Sequence, residues 1–205
     1  MGWSDTWVAL DTETTGFGPE ARIIEIGLVR FSYGVPVASW SQLLYPPQVD
    51  WESTRVQEAL KVNGLSRDDL VGKPIFGQVY AELLDRMDCP VWVAHNVEFD
   101  LRMLMQECNH FGRLALMQLP ALAFCTMSLA YQLEPELPNH KLGTVADRWR
   151  VAQDQSHRAL SDATTSGKVL SEMYGDGLLP DDDQRMVTLY QASQRSWKRR
   201  RKVAV

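Results

Sequence analysis

Three cysteines (Cys89, Cys108 and Cys125) in 205 residues are odd in number and scattered, too few for a disulfide framework or a zinc knuckle. No stretch approaches the run of about 20 apolar residues that crosses a bilayer. The opening MGWSDTW has neither a basic n-region nor an apolar h-region, so no secretion signal is expected there. Internal repeats and low-complexity linkers are also missing. These absences point away from secreted, membrane and repeat classes. They set the expectation of a cytoplasmic protein with no membrane contact and a single main core.

Positive charge is scarce as well. Lysine and arginine number 21 against 26 acids, for a net charge of −5. Six of those cations (Arg195, Lys198, Arg199, Arg200, Arg201 and Lys202) sit in residues 195–205 with no acid among them, so residues 1–194 carry −11. We therefore expect one domain over 1–194 and a basic tail over 195–205. A body this acidic must either avoid phosphate or meet it through bound cations.

Trp7 to Asp11 is a short apolar run ending in an acid, as in a buried strand whose end carries function. Glycines and Pro19 break the chain after it. Arg22–Phe31 and Val35–Tyr45 are rich in β-branched and aromatic residues, with a turn at Tyr33-Gly34, which predicts a three-stranded antiparallel N-terminal meander. Helical patterning follows from about Thr54, with breaks at Asn63-Gly64 and Lys73-Pro74, and Pro74 is expected to open a helix to about Met87. Cys89–His95 and Ala121–Cys125 read as strands. Glu98–Phe111 reads as a helix, with Leu101, Leu104, Met105, Cys108 and Phe111 at helical spacing. Further helices are expected over 126–133, 142–149 and 160–174, and one from near Asp181. Strands in a meander followed by alternating helices and strands predict an α/β fold with a mixed sheet flanked by helices.

Chemistry concentrates in three segments. In Asp11-Thr12-Glu13-Thr14-Thr15-Gly16, residues two apart on a strand share a face, so Asp11 and Glu13 stand side by side. Such a pair repels unless a cation lies between, and rigid oxygen donors suit magnesium or manganese. In His95-Asn96-Val97-Glu98-Phe99-Asp100 a strand gives way to a helix, the usual place for a site in an open α/β sheet. Asp100 there reads equally as a ligand or a helix-start acid, Asn96 as a cap, and Phe99 as core or a stacking platform. In His157-Arg158-Ala159-Leu160-Ser161-Asp162, His157 and Asp162 diverge if both are helical. They converge only if His157 lies on the preceding loop, where a histidine suits a general base. Taken alone, that pair reads as an exposed histidine and a helix-surface aspartate.

In this order and at these separations, the three segments together resemble the DnaQ-like family of 3′→5′ exonucleases, named DEDDh after four acids and one histidine. The resemblance spans residues 7–174 and implies an RNase H-like fold. It further implies two Mg2+ or Mn2+ ions per site: one held by Asp11, Glu13 and Asp162, the second bridged by Asp11 and completed by Asp100. His157 would take a proton from the attacking water, the Thr14 backbone would hold the terminal 3′-OH, and Asn96 and Phe99 would lie near the last nucleotide. The implied substrate is a nucleic acid with a free 3′ end, with single-stranded DNA favoured. An exoribonuclease or oligoribonuclease is the nearest alternative, since nothing legible reads the 2′-OH. A non-catalytic nucleic-acid-binding subunit is a remoter one.

Other titratable residues are assigned elsewhere. Glu25 is out of step with Ile24 and Ile26, so a structural role, or one supporting the metal-binding acids from behind, is expected. Asp181, Asp182 and Asp183 follow Pro180 and read as first-turn acids. His110 and His140 lack acidic partners at ligand spacing and are expected on the surface.

Overall fold

The computed structural model describes residues 4–112, 122–154, 157–180, 182, 184–187, 189 and 191. A five-stranded sheet in the order β3-β2-β1-β4-β5 forms its centre. The strands are β1 (Thr6–Thr14), β2 (Ile23–Ser32), β3 (Val35–Leu43), β4 (Val91–Ala94) and β5 (Leu122–Cys125). The pairs β1–β2 and β2–β3 are antiparallel, and β1–β4 and β4–β5 are parallel. The meander is therefore present and the sheet is mixed, as the patterning predicts.

β1 is the central strand, which explains its unbroken apolar run: both faces are covered. Trp7 and Ala9 enter one core with α5 (Thr126–Leu133), α6 (Leu142–Arg148) and α7 (Ala159–Gly175). Val8 and Leu10 enter the other with α3 (Phe76–Met87) and α4 (Val97–His110). A smaller cluster gathers Ile24, Trp51 and residues of α1 (Thr54–Asn63) and α2 (Arg67–Leu70). Among the described residues no helix is long and apolar enough to cross a membrane.

Three departures from the sequence patterning have physical reasons. Helix α3 begins at Phe76, two residues after Pro74, because the Gln78 side chain accepts the Ile75 N–H and the Pro74 carbonyl is taken by the Tyr45 amide. On α4 the buried face is rotated from the apolar stripe: Met105 is 42% exposed, while Asp100 and Glu107 are buried. Arg22 explains Glu107, donating Nε and Nη2 to its two oxygens at 2.8 Å each. A buried acid paired across 85 residues leaves no mark in apolar periodicity. Finally, His140 is 8% exposed, not on the surface. Its ring packs on Tyr131 at 4.1 Å, and Nε2 bonds the Glu134 carbonyl. His110 is exposed as expected. Asp182 caps a helix start, its Oδ1 accepting the Arg185 amide at 2.8 Å and its carbonyl the Met186 amide, whereas Asp181, Asp183 and the basic tail lie outside the described residues.

Candidate active site

The site forms at the C-terminal end of β1, where the β1–β2 register shifts between Glu13 and Thr14. Strand alternation directs Asp11 and Glu13 to the α7 side of the sheet, in line with Trp7 and Ala9. Helix α7 brings Asp162 in its first turn. Ligand oxygens of Asp11, Glu13 and Asp162 all lie within 4.8 Å of one another.

Asp100 stands outside that trio. It arrives on α4 from the opposite face of the sheet, where Thr12 Oγ1 donates to its Oδ1 at 2.8 Å. Among the neighbouring charges, Asp100 is still the largest acting on Asp11. His157 lies on the loop before α7, with φ of 62°, and its backbone N–H donates to Asp162 Oδ2 at 3.3 Å. The condition for His157 and Asp162 to converge is thus met by a left-handed residue outside the helix.

All four carboxyls are held above their ordinary range. Burial does most for Asp11, followed by the charges of Asp100, Glu13, Asp162 and Glu25. Glu13 is pushed up to about 7 by burial, then by Asp162, Glu25 and Asp100, with Arg158 working the other way. Burial also lifts Asp100 to about 7, partly offset by its Thr12 hydrogen bonds. Asp162 rises by burial against the opposing His157 bond. Such crowding of anions is favourable only with a cation among them, and an all-oxygen donor set fits a hard divalent ion. Asp11, Glu13 and Asp162 are the residues placed to hold one.

Beside the carboxylates opens a cavity of about 460 Å3, whose lining includes Glu13, Thr14, Phe17, Arg55, Phe99 and His157. Two of these, Phe17 and Arg55, carry no obvious mark in sequence. Phe17 is 76% exposed and meets the Phe99 ring edge-on at 5.7 Å. Its signal is an aromatic flanked by two glycines, and both Gly16 and Gly18 have positive φ. Arg55 lies over that loop, its stem against Gly16 and its Nη1 toward the Phe17 carbonyl at 3.4 Å. Asn63 also belongs here, donating Nδ2 to the Thr14 carbonyl at 3.2 Å. Phe99 is half-buried and faces the cavity, with Arg102 over its ring at 5.4 Å. Asn96 occupies the N-cap position of α4 in a left-handed conformation, but its side chain makes no cap hydrogen bond.

His95 serves the architecture. Nδ1 meets Thr126 Oγ1 at 3.0 Å and Nε2 meets the His140 carbonyl at 2.9 Å. A carbonyl only accepts, so Nε2 carries the proton and Nδ1 accepts from the Thr126 hydroxyl. Burial drives its pKa down to about 4, which keeps the ring neutral.

A mixed sheet of this order with carboxylates gathered at the end of its central strand defines the RNase H-like class of nucleases. The RNase T exonuclease family model matches residues 8–170, more than half of the chain. The chain belongs to that family and is an exonuclease of the DnaQ-like, DEDDh type. It is 30% identical to the DNA polymerase III subunit epsilon of Aquifex aeolicus (strain VF5), over 82% of each protein. Its fold is similar to that of Exonuclease X in complex with 5′ overhanging duplex DNA, with a TM-score of 0.65 and 23% identity over 90% of this chain and 99% of that one. It is also similar to the nuclease domain of 3′hExo, a DEDDh family member, bound to rAMP, with a TM-score of 0.66 and 18% identity over 85% and 94%.

Proposed function

We propose that this chain removes nucleotides one at a time from the 3′ end of DNA, single-stranded DNA above all, using two Mg2+ or Mn2+ ions. The observation that carries this reading is the packing of three carboxylates within 4.8 Å beside an open cavity that His157 also lines. The DNA preference is supported by the relationship to a DNA polymerase subunit. Residues 1–194 are the catalytic domain in this reading, and 195–205 extend it. We place the activity in the cytoplasm, in keeping with three buried thiols, none in a disulfide.

Asp11, Glu13 and Asp162 would hold one ion, and Asp11 with Asp100 the other. When bound, divalent ions supply Lewis-acid charge that stabilises the attacking and leaving oxygens of an in-line displacement. The remaining work falls to the chain. His157 accepts the proton of the attacking water as its oxygen bonds to phosphorus. The bond from phosphorus to the 3′-oxygen of the preceding nucleotide then breaks, releasing a nucleoside 5′-monophosphate. The Thr14 backbone, steadied by Asn63, takes the terminal 3′-OH. Asn96, Phe99 and Phe17 flank the last nucleotide, with Phe17 and Phe99 offering apolar faces to its base.

The deciding experiment uses 5′-labelled single-stranded DNA, duplex DNA and RNA, each with Mg2+, Mn2+ or EDTA. Laddered shortening from the 3′ end, fastest on single-stranded DNA and absent in EDTA, is the expected result. Equal activity in EDTA would overturn the metal reading, and faster shortening of RNA would replace DNA with RNA as substrate.

A further inference from the structure

Glu25 is the fifth acid near the site, yet it stands outside the carboxylate trio. It pairs directly across from Glu13 in the β1–β2 ladder, so both carboxylates lie on the α7 side of the sheet. Glu25 is only 1% exposed, and its two oxygens are occupied. Arg158 donates Nε to Oε2 and Nη2 to Oε1, each at 3.0 Å, in a fork geometry that fixes both partners. The same Oε2 faces the backbone N–H of Ala159 at 3.4 Å. Ala159 is the first residue of α7, and its N–H has no partner within the helix. One buried carboxylate from β2 thus grips both the residue preceding α7 and the opening amide of the helix.

Two residues along β2, on the same face, stands Gly27. A Cβ there would lie 2.2 Å from the Ala159 carbonyl carbon and 2.3 Å from the Leu160 nitrogen. β2 therefore offers a carboxylate and a gap, and the start of α7 fits both. The neighbours of this contact matter most. His157 immediately precedes Arg158 and holds φ of 62°, a conformation a non-glycine residue keeps only when its surroundings impose it. Asp162 follows within the first helical turn.

We infer that Glu25 is a positioning residue of the active site, which holds the His157 loop in place against the start of α7 through Arg158 and the Ala159 amide. It touches no substrate. Both of its oxygens are engaged by Arg158, while its charge still acts on Asp11, Glu13 and Asp162. This inference rests on the role proposed above for His157.

The test is a double-mutant cycle on single-stranded DNA with Mg2+, reading kcat, KM and the thermal midpoint of each protein. Wild type, Glu25→Gln, His157→Ala and the double variant are compared. Misplacing a reacting group by about 1 Å costs on the order of 100-fold, so Glu25→Gln should lower kcat by about 10- to 100-fold and leave KM unchanged. Because the loss acts through His157, the double variant should be no slower than His157→Ala alone. Arg158→Lys keeps the charge and loses the fork, and it should fall between wild type and Glu25→Gln. It takes the place of Glu25→Gln in the cycle if that variant does not fold. Losses that multiply in the double variant would make Glu25 a purely structural residue and overturn the inference, as would unchanged kcat in the single variants. A wild-type protein that leaves 3′ ends intact removes the parent reading instead, so the two failures are distinct.

Discussion

Thr12 and Asp100, 88 residues apart, are joined by a 2.8 Å hydrogen bond from Thr12 Oγ1 to Asp100 Oδ1. Thr12 sits between Asp11 and Glu13 on β1 but points to the other face. The bond ties α4 to the strand that carries Asp11 and Glu13, and it opposes the upward push of burial on the Asp100 pKa. Replacing Thr12 by valine keeps the shape and removes the donor. A buried acceptor left short of a partner costs about 1–3 kcal/mol, so Thr12→Val should lose stability in that range in urea unfolding at neutral pH. Thr12→Ser should recover most of it. A valine variant as stable as the parent would show that the bond contributes nothing.

The raised carboxyls predict how stability varies with pH when metal is absent. A carboxyl whose folded pKa exceeds its unfolded value keeps its proton longer when folded. Between the two values the unfolded chain has released protons that the folded chain retains, so stability is full below the unfolded value and falls as pH rises through the folded one. For Glu13 that window runs from 4.5 to about 7, and for Asp100 from 3.8 to about 7. In EDTA the thermal midpoint should therefore fall across this window, and less so in Glu13→Gln. Mn2+ should raise the midpoint strongly at pH 8 and weakly at pH 5. A wild-type midpoint that climbs with pH in EDTA, or the same Mn2+ response at both pH values, would contradict the electrostatic picture.

The pairing of Asp11 with Glu13 was legible locally, whereas Asp100, His157 and Asp162 joined it only through the family resemblance. Asp11 and Glu13 share a face by strand alternation, and Asp100 and Asp162 each mark the first turn of a helix. The meander was legible because three β-rich runs are separated by short breaks. What stayed hidden depends on contacts across long sequence distances. Glu107 in α4 is buried only because Arg22 lies opposite, and Phe17 joins the cavity only because its loop folds back onto Phe99. The burial of His140 leaves no mark in the sequence because its partners, Tyr131 and the carbonyl of Glu134, belong to no motif.

The roles of acid and histidine separate in a metal-binding experiment. Asp11→Ala and Asp162→Ala should nearly abolish turnover and also weaken Mn2+ binding measured by calorimetry. His157→Ala should lower turnover by about 100- to 10,000-fold, the usual contribution of a general base, with Mn2+ affinity nearly intact. Wild-type turnover in the histidine variant would remove it from the mechanism. Mn2+ affinity lost as deeply as in Asp11→Ala would make His157 a ligand.

The basic tail poses the last question. Residues 195–205 hold six cations, while residues 1–194 carry a net charge of −11. In the proposed reaction an acidic body would repel the phosphates upstream of the 3′ end, and metal ions at the active site would neutralise only the scissile region. The tail is the strongest cluster of positive charge in the sequence, in the stretch Trp197-Lys198-Arg199-Arg200-Arg201-Lys202, and it suits those upstream phosphates. Each phosphate neutralised on a single strand adds about 0.7 to the log–log slope of affinity against salt. Deleting residues 195–205 should therefore weaken binding to single-stranded DNA at low salt and flatten that slope. Turnover at saturating substrate should hold, because no tail residue belongs to the carboxylate cluster. Binding measured by fluorescence anisotropy across a salt series decides it. Identical affinity and slope in the truncated protein would leave the tail without a part in substrate capture.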